Sequence, residues 1–205
     1  MGGDSSTTYA YVSVFNALME RYENTVNGVF TAHTHQDQLI FHTKKSDQTK
    51  ITNTEYISPS MTTYSNQNPS FRIYTMDSDT NQVVDYTQYR LRLDDSNKYK
   101  RALWEVAYEF KAEYGLADTT KASMQNLFDR LSAGDATAAK AYYQHEYTSW
   151  DPVEKLSRKM TNNVKCTIKD DVDKILKCYG DFILEADLAN LVPSQFFHWF
   201  VEYTN

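Results

Sequence analysis

The spacing of apolar residues changes once along this chain, near residue 94, and that change limits what it can fold into. Between residues 28 and 93 the apolar residues come in short runs: "GVFTA", "LIFH", "EYISPS", "FRIYTMD" and "QVVDYTQYRLRL". Polar or proline-bearing stretches stop each run, so they read as strands. Beyond residue 94 the apolar residues recur every three or four positions, which is the spacing of a helix face. One further helical pattern precedes the strands. Strands followed by helices place the chain in the α+β (or α/β) class.

The first helix is expected over residues 8–26, with Val12, Phe15, Met19, Tyr22 and Val26 on its packed face and Gly28 where it stops. "FRIYTMD" and "QVVDYTQYRLRL" flank the turn signal "SDTN" and read as a hairpin. In the second run Tyr89, Leu91 and Leu93 alternate with arginines, as a packed face and a wet face require. From 97 to 114, Leu103, Val106, Ala107, Phe110 and Tyr114 form a helical stripe that Gly115 ends. On that helix Glu105, Glu109 and Glu113 would share one solvated face. Further helices are expected over 119–132, 135–147, 152–160, 169–178, 182–190 and 194–203, separated by Gly134, Pro152, Gly180 and Pro193.

Composition removes several classes of function. The net charge is −6, and basic clusters such as "KYKR" are short, so nothing suggests a nucleic-acid partner. No window has the apolar length of a transmembrane segment. The first residues lack the charged and apolar regions of a signal peptide. No Asn-x-Ser/Thr acceptor has a permitted middle residue. The two cysteines, Cys166 and Cys178, lie close together in "CTIKDDVDKILKC". They read either as free thiols in a helical region or as a local disulfide, which implies an oxidising compartment. A loop that short contributes about 3 kcal/mol at most on the chain-entropy account. No nucleophile–base pair or phosphate-cradling glycine loop stands out. His145 and His198 sit beside aromatics and read as packed or surface residues. The terminal "FFHWFVEY" reads as a docking helix or, more sharply, as a lipid-facing surface.

The chemistry-bearing feature is "VFTAHTHQDQLIFH". His33 and His35 stand one residue apart where an apolar strand gives way to a polar loop. Neutral imidazole is a common ligand for zinc and iron. A lone His-x-His is a weak motif, and surface or hydrogen-bonded histidines are the plain reading.

The surroundings sharpen it. Ala-His-Thr-His between two apolar strands resembles the last metal motif of the calcineurin-like metallophosphoesterases, usually Gly-His-Thr-His. An Arg-Tyr helix precedes the strand, and three blocks follow in order: Pro59–Tyr64, Asn68–Arg72 and Asp85–Tyr89. Tyr114–Leu116 then ends the next helix. Together they resemble acid sphingomyelinase and the acid sphingomyelinase-like phosphodiesterases, from about residue 8 to about 117. The resemblance implies a β-sandwich flanked by helices, of which this chain carries the C-terminal half over 1–93. A helical C-terminal region would cover 94–205.

The resemblance also implies a site. Family members bind two metals, usually zinc, and this block supplies one imidazole to each, here His33 and His35. Tyr64 and Asn68 match the loop beside that site and become candidates for substrate binding, the plain reading of both being turn chemistry and packing. The family reaction hydrolyses sphingomyelin-type phosphodiesters to ceramide and phosphocholine. A phospholipid or other phosphodiester is therefore the expected substrate of the full-length protein.

The family's remaining ligands are an Asp-x-His, a bridging Asp after Gly, an Asn-His pair and an upstream His, and none is found in this chain. A catalytic zinc usually takes three protein ligands, so at most one weakly held ion is expected. Asp37 and His42 are conceivable third donors without a defined pattern. No catalytic set is complete, and the isolated chain is expected to be a poor phosphodiesterase. Ala32 departs from the family glycine, which points either to a negative φ or to a site no longer used. The alternatives are a non-catalytic lipid- or protein-binding protein, or completion of the site by a partner in trans. Half a sandwich should expose sheet edges and self-associate. The family is largely lysosomal or secreted.

Overall fold

The computed structural model describes residues 9–64, 67–149, 155–170, 174–175 and 177–178. The helices expected over 182–190 and 194–203, with His198 and "FFHWFVEY", lie outside the described residues.

The chain opens with helix α1, Tyr9–Arg21. It ends well before Gly28, because Asn24, Thr25, Val26 and Asn27 are poor helix formers. Val12 and Met19 are buried and Phe15 half-buried, while Tyr22, expected on the packed face, is exposed. Three strands follow: β1 (Val29–Thr31), β2 (Gln38–Thr43) and β3 (Ile51–Ile57). They form a sheet in the order β1-β3-β2, with β1 parallel and β2 antiparallel to β3.

Every residue of β2 and β3 is buried, because both faces of this sheet are covered. Towards α1 stand His42, Asn53 and Glu55. Phe15 lies edge-on to His42, and Asn53 Nδ2 donates to the Met19 carbonyl at 3.0 Å. His42 Nε2 meets Glu55 Oε2 at 3.0 Å and His42 Nδ1 meets Asn16 Oδ1 at 2.9 Å, so this buried polar pair is bonded at each ring nitrogen. Towards the other face stand Leu39, Phe41 and Tyr56, which join the main core.

The expected hairpin forms from β4 (Ser70–Met76) and β5 (Val83–Leu91), in antiparallel register with Phe71 opposite Tyr89. Its packing parity differs from the sequence reading. Tyr86 and Gln88 are buried, whereas Tyr89 is half-buried and stacks on Phe71 at 4.8 Å. The inner face is polar and aromatic because it receives Arg72, and hydrophobic pattern alone assigned the faces the other way.

The segment after residue 93 is not purely helical. Helix α2 (Leu93–Tyr99) leads into strand β6 (Trp104–Glu109), which pairs with β5 and completes a second sheet in the order β4-β5-β6. Helix α3 (Phe110–Tyr114) then ends at Gly115. The single helix expected over 97–114 is therefore replaced by helix, strand and short helix. "WEVAYE" also alternates large apolar residues with small or acidic ones, and an available edge on β5 selects that period over the helical one. Glu105, Glu109 and Glu113 consequently do not share a helix face. Glu105 bonds Arg90 at 2.8 Å, and Glu113 bonds His145.

Helices α4 (Lys121–Ala133) and α5 (Ala136–Glu146) follow the expected boundaries closely. Thr120 and Asp135 cap their N-termini. Gly134 closes α4 in the left-handed conformation, and a Cβ there would stand 2.6 Å from Lys165 Cε. Helix α6 spans Arg158–Thr167, later than the expected 152–160. Ser157 caps it, and the preceding described residues, 155–157, are not helical. Phe41, Phe128, Leu131, Tyr142 and Val164 tie α4, α5 and α6 to the first sheet. Cys166 and Cys178 form a disulfide, so of the two readings left open by their spacing the bridge is the one present.

Candidate functional site

Residues 32–37 carry the chain from the end of β1 into β2. This turn is strained: His33 has φ 107° and His35 φ 65°. Residues with a Cβ rarely adopt such values, and they persist only where the surroundings over-determine them. Ala32 is not among the residues with positive φ, so its methyl group is tolerated where a glycine was expected.

The segment after β3 runs beside the turn. Ser58 N–H donates to the Thr31 carbonyl at 3.0 Å, and Ser60 N–H to the His35 carbonyl at 3.2 Å. This brings the loop beginning at Ser60 next to His35. The Tyr64 ring lies edge-on to the His35 imidazole with centroids 6.0 Å apart, and its side chain is 82 % exposed.

Asn68 is placed differently. Its Nδ2 donates to the Thr148 carbonyl at 3.0 Å, its Oδ1 accepts from Leu93 N–H at 3.4 Å, and its own carbonyl accepts from Thr148 Oγ1 at 2.8 Å. Its amide is occupied in tying the loop to the end of α5 and the start of α2.

Behind the turn lies a buried charged cluster. Asp37 accepts from Arg72 Nη2 through Oδ1 and from the Tyr108 hydroxyl through Oδ2, the latter at 2.6 Å. Arg72 also donates to Gln88 Oε1 at 2.8 Å, and its guanidinium carbon stands 3.9 Å from the centre of the Tyr86 ring. Burial pushes the Tyr86 and Tyr108 phenols well above their usual pKa, which keeps both as neutral donors. His145 stacks on Tyr108 at 4.0 Å and bonds Glu113 Oε1 through Nε2 at 2.8 Å.

The next residue, Glu146, is 2 % exposed. Its Oε1 accepts from Gln38 Nε2 at 3.1 Å, and Oε2 has no partner among the described residues. Burial, reinforced by the nearby Asp37 charge and opposed by the Gln38 hydrogen bond, pushes its pKa up to about 7.

That shift sets an expected pH dependence of stability. Between about 4.5 and 7 the folded chain holds this proton while the unfolded chain has released it. Folding is therefore favoured by it below that window and loses the contribution as pH rises through 7. Glu113, held low mainly by its His145 hydrogen bond, has the opposite sign and acts below the window. The melting temperature of the wild type should fall more steeply between about pH 5 and about pH 8 than that of Glu146→Gln, which is neutral throughout. Parallel profiles would contradict this assignment.

As metal donors, His33 and His35 suit zinc or iron in kind. His35 Nδ1 is buried without a hydrogen-bond partner among the described residues, as a nitrogen reserved for a ligand would be. In number they form one edge of a coordination shell. Asp37 is committed to Arg72 and Tyr108, and His42 lies on the α1 face bonded to Asn16 and Glu55, so neither joins them. Among the described residues no group of three or more His, Cys, Asp or Glu could hold a metal ion. Arg72 falls within a family block quoted from the sequence, but nothing there marks it as buried. Gln38 and Glu146 carry no sequence signal at all, and the spacing of Glu113 pointed to a solvated face rather than to His145.

The two sheets, the helices packed on them and the polar loops gathered around a strained histidine turn define an α+β protein whose paired histidines lie on a connecting segment. The chain belongs to the family described as acid sphingomyelin phosphodiesterase C-terminal region, which residues 47–181 match. It is 30 % identical over 138 residues to sphingomyelin phosphodiesterase B of Dictyostelium discoideum, covering 64 % of this chain and 22 % of that one. It is 30 % identical over 156 residues to sphingomyelin phosphodiesterase 2 of Caenorhabditis elegans, covering 72 % and 25 %. To the cyclic GMP-AMP phosphodiesterase SMPDL3A of Rattus norvegicus it is 26 % identical over 140 residues, covering 65 % and 31 %. The chain thus spans between 22 % and 31 % of the length of these relatives.

Proposed function

We propose that this chain is the C-terminal portion of an acid-sphingomyelinase-like, metal-dependent phosphodiesterase of the calcineurin-like type. The observation that carries this reading is the histidine turn itself. Two imidazoles sit on a backbone held in a costly conformation, one with a buried unpartnered nitrogen, next to an exposed tyrosine. In this reading His33 and His35 would hold zinc as imidazole donors, and further ligands beyond these two would be required. When bound, such ions lower the pKa of a water molecule and stabilise charge on phosphoryl oxygens. Tyr64 lines the substrate side, whereas Asn68 shapes the loop from behind.

The substrate is a phosphodiester of the sphingomyelin kind, as the relatives' names suggest. Residues 1–93 are read as the end of the metallophosphoesterase domain and 94–205 as the family's C-terminal region, which is helical after β6 in its described part. β6 pairs across that division with β5, so the sheet continues through it. The Cys166–Cys178 bridge supports a lysosomal or secreted location, because disulfides persist in oxidising compartments.

The test is zinc titration of the purified chain with turnover of a choline phosphodiester. At most one weakly held ion, shifting the His33 and His35 resonances, and no chelator-sensitive turnover are expected. Two tightly bound ions with efficient turnover would overturn the incomplete-site reading.

A second reading, a non-catalytic protein that binds lipid or a protein partner, is favoured by the outer face of α1. Tyr11, Val14 and Leu18 are exposed there at helical spacing, and Tyr22 is exposed just past its end. It predicts that zinc leaves both histidines untouched. Self-association through this face and exposed sheet edges accompanies either reading.

A further inference from the structure

The histidine turn is gripped from behind by the last residue of α5. The Glu146 carbonyl accepts from Asp37 N–H at 3.0 Å. Glu146 Oε1 accepts from Gln38 Nε2 at 3.1 Å. Gln38 Oε1 accepts from the Thr34 hydroxyl at 3.3 Å, and Thr34 Oγ1 accepts from Gln36 N–H at 3.4 Å. Thr34 is the residue between the two histidines. The relay therefore runs from a buried carboxyl, through two side chains, to the middle of the strained segment.

Packing alone does not account for this arrangement. A buried carboxyl with one oxygen unpartnered is a costly way to fill a core position. Positive φ at two histidines also needs support from outside the turn. Each feature supplies a reason for the other: the carboxyl anchors Gln38, and Gln38 and the Asp37 N–H fix both the side chain and the backbone on which the turn closes.

We propose that Glu146 is a positioning residue for the His33–His35 pair, acting through Gln38 and Thr34 to hold the turn in its left-handed conformation. The role of the pair as zinc donors rests on the function proposed above, while the conformational claim stands apart from it. Residues behind metal ligands set their orientation, and losing one usually weakens the metal about tenfold or more.

The experiment follows the backbone amide and imidazole Cε1–H resonances of His33 and His35 in the labelled 205-residue chain, alone and with zinc added. Glu146→Ala should broaden or displace these resonances and weaken zinc by at least about tenfold. Glu146→Gln, which keeps an acceptor towards Gln38, should leave them in place. Met124→Ala empties a buried position in α4 outside the relay. It should lower the melting temperature without moving them, which separates positioning from general loss of stability. Should Glu146→Ala fail to fold, Thr34→Val cuts the relay without touching the buried carboxyl and should displace the same resonances. Unchanged histidine resonances in a folded Glu146→Ala or Thr34→Val chain would overturn the proposal. Displacement of the turn in a chain where zinc touches neither histidine would support it and remove the metal reading instead.

Discussion

Asp37→Ala is expected to destabilise the chain by about 3–5 kcal/mol, the usual cost of breaking a buried ion pair from one side. The Arg72 side chain is 1 % exposed, and a guanidinium stays protonated even without its carboxylate partner. Without Asp37 the guanidinium keeps only neutral partners: Gln88, the Tyr74 and Tyr108 hydroxyls and the Tyr86 ring. The Tyr108 hydroxyl loses its carboxylate acceptor as well. In a domain of this size such a loss lowers the melting temperature on the order of 10 °C. The companion Asp37→Ala, Arg72→Met double variant should recover much of it, because the desolvation penalty leaves with the charge. Thermal melts of the two single variants and the double variant measure the coupling. Additive effects would show that the pair does not act as a unit.

Removing the Cys166–Cys178 bridge is expected to cost about 3 kcal/mol on the chain-entropy account. The bridge holds the segment that covers the outer edge of β2. Phe41 N–H donates to the Ile168 carbonyl at 3.1 Å, and Thr43 N–H to Asp170 Oδ2 at 2.8 Å. Lys174 bonds both Asp170 and Thr43, and Asn16 Nδ2 reaches the Asp170 carbonyl at 2.9 Å. A Cys166→Ala, Cys178→Ala chain should melt on the order of 10 °C lower. Its Phe41 and Thr43 amides should lose hydrogen-exchange protection ahead of those in β5, because the released segment uncovers a strand edge. Equal melting temperatures with and without reductant would sink this account.

The two effects act on opposite flanks of one strand. Asp37 sits just before β2 and ties the histidine turn to the second sheet, while Asp170 ties the far end of β2 to the bridged segment. Between them β2 and β3 are buried throughout. The turn carrying His33 and His35 thus hangs from the best-supported part of the fold, which suits residues that must stand in fixed positions.

The hairpin of β4 and β5 was legible because its turn signal and its alternation are local. The break between α4 and α5 at Gly134 was legible for the same reason, whereas the caps Thr120 and Asp135 emerge only in the structure. His33 and His35 could be singled out because their spacing and flanking strands are written in one continuous stretch. β6 was not legible, since "WEVAYE" satisfies a helical and an extended period alike, and only pairing with β5 chooses between them.

The amino-acid order alone determined the α+β class and the family motifs, both of which rest on spacing within a window of a few turns or one strand. The tertiary structure alone decided that Arg72 is interior, that Asn68 serves the loop rather than facing outwards, that the cysteines are joined, and that Glu146 holds its proton to near neutrality. Each of these depends on which distant groups share a low-dielectric space, and desolvation and pairing across the sheets leave no periodic trace in the chain.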